Sequence, residues 1–364
     1  MLKINPLQSI SLDLIRLLAA QMVLLGHAVS MYGISENTAY IQNSGVVLFF
    51  VLSGLIISYT VMMKSVKGNY SFKAFFIERF ARIYSGLVPS LLLIAIVDYF
   101  LLNSQESGYL YADAYDFRTF LGNLLMFQDF YEVGHVFDRV FPPALHITSF
   151  GSGRPLWTLA IEWWLYMAYG MIWFYFMQRF HWKLFPLFML VAIVPAWNLL
   201  YGPSRAHGLS AVWLLGVVVT LLAFRKNNIA DSFKLAGSGV FLLFAILIIG
   251  FTGDAYSIHF AMFVAAFVLF MLMYQENSTW KNIGVGAYIV KFGAGYSFTL
   301  YLIHYTVLEL MQYVCTGLDK HSSVLLSVVV ANVMAAALAL STEMKHKALA
   351  KKLKEMAGIG NVER

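Results

Sequence analysis

The chain reads as long apolar stretches separated by short polar breaks. Ten of them, at residues 12–33, 43–63, 83–102, 155–177, 184–201, 208–224, 235–251, 258–274, 292–314 and 322–341, come near the ~20 residues that cross ~30 Å of hydrocarbon. The runs are unbroken and do not alternate apolar with polar positions, which argues for helices and against a membrane barrel. The pattern predicts an all-α, polytopic membrane protein with about ten transmembrane helices.

Composition narrows this further. Of 364 residues, 60% are hydrophobic and only 12% charged, against roughly 45–50% and about 25% in a soluble domain. A soluble globule would have too few charges to cover its surface. The single cysteine, Cys315, excludes a disulfide scaffold and a cysteine-rich zinc site. The histidines are not spaced as metal ligands, so no metal is expected.

The net charge of +6 acquires a meaning once it is placed on the chain. With the N-terminus in the cytoplasm, 19 of the 25 lysines and arginines fall on the cytoplasmic side. Five fall opposite (Arg118, Arg139, Arg154, Arg205 and Lys320), and Arg16 lies inside the first stretch. This asymmetry predicts that both termini are cytoplasmic. The basic excess faces anionic lipid or an anionic cytosolic ligand, and nucleic acid is not needed to explain it.

Residues 1–345 read as one transmembrane domain and residues 346–364 as a cytoplasmic basic tail. Residues 343–354 have the spacing of a basic amphipathic helix, most simply a membrane-surface anchor. Asp13 and Arg16 interrupt the first stretch, which argues against a cleaved signal peptide. Residues 103–153 form one long extracytoplasmic loop, rich in acids and aromatics and carrying His135 and His146. Its middle, 117–127, has the apolar spacing of a short helix on the membrane.

Ionisable groups inside hydrocarbon cost several kcal/mol and are rarely idle, so they mark the candidate chemistry. Arg16 and His27 are eleven residues apart, about three helical turns, with ~16 Å of rise and a residual rotation of only ~20°. They share one face, with the cation near the cytoplasm and the imidazole deep in the membrane. This suits a ligand anionic at one end and reactive at the other. Snorkelling of Arg16 to lipid and a helix–helix bond from His27 would account for the same pair.

Arg79 and Arg82, three apart, point the same way and can grip one phosphate, although basic residues at a helix end also serve as topology determinants. Glu162 lies two turns below the outer surface, where a carboxylate can orient a histidine and raise its basicity. Trp157 beside it also fits an interfacial belt. Tyr166, Tyr301, His304 and the Ser53-Gly54 break are supporting candidates, and Asp98 and Glu309 are further buried acids.

Arg16 with His27, then the stretch from Phe49 to Ile57, resemble the start of the acyltransferase 3 family of integral membrane acyltransferases. Arg79 and Arg82 followed by Ile83-Tyr84, Leu156-Trp157-Thr158-Leu159 with Glu162 and Tyr166, and the segment Ser297 to His304 are similar to its later motifs, in family order. Ser85 and Met344 stand where the family often has proline. The resemblance implies acyl, usually acetyl, transfer from cytosolic acyl-CoA to a hydroxyl of a cell-surface glycan in the bacterial inner membrane. Arg16, Arg79 and Arg82 would hold the coenzyme A phosphates. His27 would act as general base or acyl carrier with Glu162 orienting it, and the outer loop would help to bind the carbohydrate. The competing class is a transporter or flippase in which His27 and Glu162 relay protons. It would favour repeated halves, and none is evident.

Overall fold

A computed structural model describes residues 4–35, 38–68, 70–104, 108–128, 147–177, 181–200, 208–223, 229–274 and 284–359. Among these residues the regular structure is entirely helical. The helices are α1 (Pro6–Met31), α2 (Ala39–Val66), α3 (Phe72–Ser104), α4 (Phe117–Leu124), α5 (Leu156–Met171), α6 (Phe185–Leu200), α7 (Leu209–Ala223), α8 (Asp231–Thr252), α9 (Ile258–Met273), α10 (Val285–Val314), α11 (Lys320–Ser341) and α12 (His346–Met356).

Each apolar stretch coincides with a helix. Among the described residues, five helical segments are long and apolar enough to cross a membrane by length and composition: α1, α2, α3, α8 and the continuous run Lys320–Met356. Helix α8 leaves Phe233, Leu243, Ile246 and Phe251 exposed, the surface expected of a helix facing lipid. This is an integral membrane protein built of helices. Helix α3 starts eleven residues before its apolar stretch, so Arg79 and Arg82 lie on a regular helix rather than in a loop.

The chain divides into two compact units. The first comprises Met1–Ser30, Ser35–Gly68 and Leu199–Ser297. Its central seam is the crossing of α2 and α7. A Cβ on Gly54 would strike the Trp213 carbonyl oxygen, and one on Gly216 would strike that of Val51, so only glycine lets the backbones meet. One turn on, Ser58 Oγ and Thr220 Oγ1 lie 2.7 Å apart, and Thr220 donates to Leu55 O at 3.0 Å. Helix α1 meets α2 through Gly26, against Gln42, and through Gly45, against Ala19 and Val23. At its start the buried Gln8 amide donates to Leu272 O (2.7 Å) and Tyr274 O (3.1 Å), capping the end of α9.

The second unit comprises Met31–Ile34, Asn69–Asn198 and Phe298–Arg364. Helices α3 and α5 pack through rings: Trp163 stands edge-on to Phe76 (5.9 Å) and Tyr84 (5.6 Å). Helix α5 loosens into a π-helical stretch, Ile172–Met177, at its end. Helix α12 packs on α3 and buries Ala350, so its apolar side is covered at least partly by protein. A lipid anchor alone would leave that side bare.

Residues 129–146 of the long loop, with His135 and His146, lie outside the described residues. The flanking parts are ordered by local bonds. Asp116 caps α4 by accepting from Thr119 N (3.0 Å), and the Thr119 hydroxyl bond holds its carboxyl below the usual carboxylate range. Asn123 donates to Thr148 O and accepts from Phe150 N, tying α4 to the strandless segment before α5. The short helix predicted within 117–127 is therefore present.

Candidate active site

In the first unit, Arg16 and His27 lie on the uninterrupted α1, so the shared face inferred from their spacing holds. Arg16 Nη1 is 3.4 Å from Asp13 Oδ1, one turn earlier, which offsets part of the cost of a charge at that depth. His27 is half-buried. Ser53 Oγ accepts from Trp213 Nε1 at 3.1 Å, beside the Gly54–Gly216 crossing. The Ser53-Gly54 break thus serves helix packing.

In the second unit, α10 acts as a ruler along which three clusters are placed. At Phe298 and Thr299 is a basic cluster. Glu343 sits in the 3-10 turn between α11 and α12 with its side chain only 1% exposed. It accepts from Arg82 Nη1 (2.6 Å), Thr299 N (2.9 Å) and Thr299 Oγ1 (2.8 Å). The Arg82 guanidinium also stands 5.3 Å from the Phe298 ring centre. Arg79 takes a different environment. Its Nη2 is 3.9 Å from Glu78 Oε2, its Cζ stands 6.0 Å from the Phe75 ring centre, and its buried Nε has no hydrogen-bond partner among the described residues. The two arginines share a helix face but not a partner. Arg82 is held by a buried carboxylate, whereas Arg79 retains bonding capacity.

One turn along α10 is the second cluster. Tyr301 and Thr158 hydroxyls are 2.6 Å apart, both buried, joining α10 to α5. Four residues further on α5, Glu162 accepts from Tyr166 OH through Oε1. Buried His304 has Nδ1 2.8 Å from Tyr301 O, which places the proton on Nδ1 and makes Nε2 the basic nitrogen. Trp157 is half-buried one turn before Glu162. The predicted residues Trp157, Glu162, Tyr166, Tyr301 and His304 therefore belong to one neighbourhood of α5 and α10.

The third cluster lies at the other end of α3. Fully buried Asp98 accepts from Ser152 N (2.7 Å), Ser152 Oγ (2.6 Å) and Tyr109 OH (2.7 Å), and Ser152 Oγ lies 2.7 Å from Thr306 Oγ1. Gly151, at φ +51°, lets the loop turn over the carboxylate, where a Cβ would clash with Asp98 Oδ2. Nearby, Tyr111 OH reaches Tyr305 OH (3.0 Å) and Glu309 Oε1 (3.2 Å). No group of three or more His, Cys, Asp or Glu able to hold a metal occurs among the described residues.

Sequence reasoning missed Glu78 and the pairing role of Glu343. Both were legible only as acids next to basic residues, with nothing to mark their partners. The family comparison decides the class of the protein. The acyltransferase domain family (Acyl_transf_3) matches residues 9–343. The chain belongs to the acyltransferase 3 family. The chain is also similar to an O-acetyl transferase of Shigella phage Sf6, at 30% identity over 166 residues. That match covers 43% of this chain and 44% of the phage protein, so the chain spans less than half the length of the relative it matches. No solved structure matches.

Proposed function

We propose that the protein is a membrane O-acyltransferase of the bacterial inner membrane, with both termini cytoplasmic. It moves an acyl group, acetyl by the likeness to the phage O-acetyl transferase, from acyl-CoA to a hydroxyl of a surface glycan or its lipid-linked precursor. The observation that carries the reading is the family match over residues 9–343, which takes in every proposed site residue. The proton-relay transporter finds no specific support.

The donor's phosphates bind at Arg79, with Arg82 adding positive field and Arg16 a further candidate cation for the donor. Arg79 suits this best because its Nε has no partner among the described residues and its guanidinium is already held by the Phe75 ring and the helix. At the reacting end His27 takes the proton of the acceptor hydroxyl as its oxygen attacks the thioester carbonyl. The carbon–sulfur bond breaks, coenzyme A leaves as the thiol and an ester remains. In a second route, equally open, His27 first accepts the acyl group and passes it to the hydroxyl. Glu162 is the second catalytic group of this reading, with Trp157, Tyr166, Tyr301 and His304 around it on α5 and α10. The carbohydrate acceptor meets the aromatic groups of the long loop.

His27→Ala and Glu162→Gln are each expected to lower acyl transfer by at least about a hundredfold while the protein still inserts in membranes and binds coenzyme A. Transfer from acetyl-CoA to deacetylated surface polysaccharide, measured in membranes, provides the check. Near wild-type transfer by His27→Ala removes the assignment.

A further inference from the structure

A cation pairs with an adjacent carboxylate unless something else neutralises that carboxylate first. Glu78 directly precedes Arg79 on α3, and its side chain is only 9% exposed. Its Oε1 pairs with Lys354 Nζ of α12 at 2.5 Å, and its Oε2 accepts from Tyr70 OH at 2.7 Å. The carboxylate is thereby satisfied from two directions, and Arg79 Nη2 remains 3.9 Å away, beyond hydrogen-bond reach. The Arg79 side chain is 15% exposed, and its Nε is unbonded among the described residues. A mostly buried guanidinium next to a buried carboxylate ordinarily closes into a tight pair. Here both carboxylate oxygens are already engaged, Oε2 by Tyr70 and Oε1 by Lys354, the one neutralising charge, which comes from 276 positions away in sequence.

We propose that Lys354 is a positioning residue for the donor site: by engaging Glu78 it keeps Arg79 open to an anionic phosphate. The inference rests on the donor role given to Arg79 above and extends it to the C-terminal helix. Without Lys354 the Glu78 carboxylate has Arg79 as its nearest cation among the described contacts, and closure of that pair competes directly with the phosphate. The same helix has a second tie to α3, Lys73 Nζ donating to Ala357 O at 2.8 Å, which holds α12 without touching Glu78. This separates docking from charge control.

The test measures binding of coenzyme A, without an acyl group, to the full-length protein in lipid nanodiscs. Lys354→Ala is expected to weaken affinity about tenfold, the scale of one charge-assisted hydrogen bond lost to competition. Lys354→Arg keeps wild-type affinity. Glu78→Gln combined with Lys354→Ala restores affinity to within about twofold, because the competing carboxylate is gone although α12 still lacks its pair. Lys73→Ala leaves affinity unchanged. The proposal is overturned if Lys354→Ala binds like wild type, if the double variant stays as weak as the single one, or if Lys73→Ala weakens binding equally. Should Lys354→Ala fail to fold, the Glu78→Gln and Lys354→Ala double variant, which leaves no unpaired carboxylate facing α12, carries the comparison with Lys354→Arg, and weak binding by it is overturning. Arg79→Ala tests the underlying reading separately: unchanged affinity there removes Arg79 from the donor site whatever Lys354 does.

Discussion

Removing the Asp98 carboxylate would take the acceptor from three donors at once, the amide and hydroxyl of Ser152 and the hydroxyl of Tyr109. Each buried donor left unmet costs about 1–3 kcal/mol. Asp98→Ala is therefore expected to destabilise the protein by on the order of 3 kcal/mol, seen as a lower melting temperature in detergent, with Asp98→Asn losing less. An unchanged melting temperature would refute the structural role. A buried acid in an apolar stretch marks function by default, and Asp98 shows the limit of that argument. A carboxylate met by hydrogen bonds on several sides serves the architecture, here by fastening the loop that leads into α5 and Glu162. The contrast with Arg79, whose Nε has no partner among the described residues, turns on satisfaction and not on burial.

At the scale of elements, glycine decides which helices can approach. Gly54→Val would drive a side chain into the Trp213 carbonyl, separate α2 from α7 and disturb the Ser58–Thr220 bond. A loss of about 1–3 kcal/mol is expected, read as earlier thermal unfolding. Gly239→Ala, on α8 with nothing within 4 Å of its Cβ, serves as the control and is expected to be neutral or slightly stabilising. Equal behaviour of the two variants would mean that the seam does not depend on backbone contact. The Ser53-Gly54 break was visible in the sequence as either a ligand approach or a helix contact. The helix contact is present, made by Trp213 from 160 positions away. Helix α12 was likewise legible as amphipathic, but not that α3 covers part of its apolar side.

For the whole molecule, family membership and long apolar helices identify an integral membrane protein of the acyltransferase 3 family. Cells expressing the gene are expected to carry one additional acetyl ester per modified acceptor sugar, and cells expressing His27→Ala none. Mass spectrometry of purified surface polysaccharide reads the difference, and identical spectra would exclude a glycan acceptor in that host.

Residue order alone set the class, the positions of the helices and the common face of Arg16 and His27, because hydropathy and helical period are local properties. It also brought out the arginine pair and Glu162, since charges stand out against an apolar background. Which charges satisfy one another was beyond its reach. Arg82 meets Glu343 across 261 positions and Lys354 meets Glu78 across 276, and no local periodicity encodes such encounters. Folding alone determined that one arginine of the pair is held while its neighbour keeps an unbonded nitrogen, because the neutralising groups arrive from the far end of the chain.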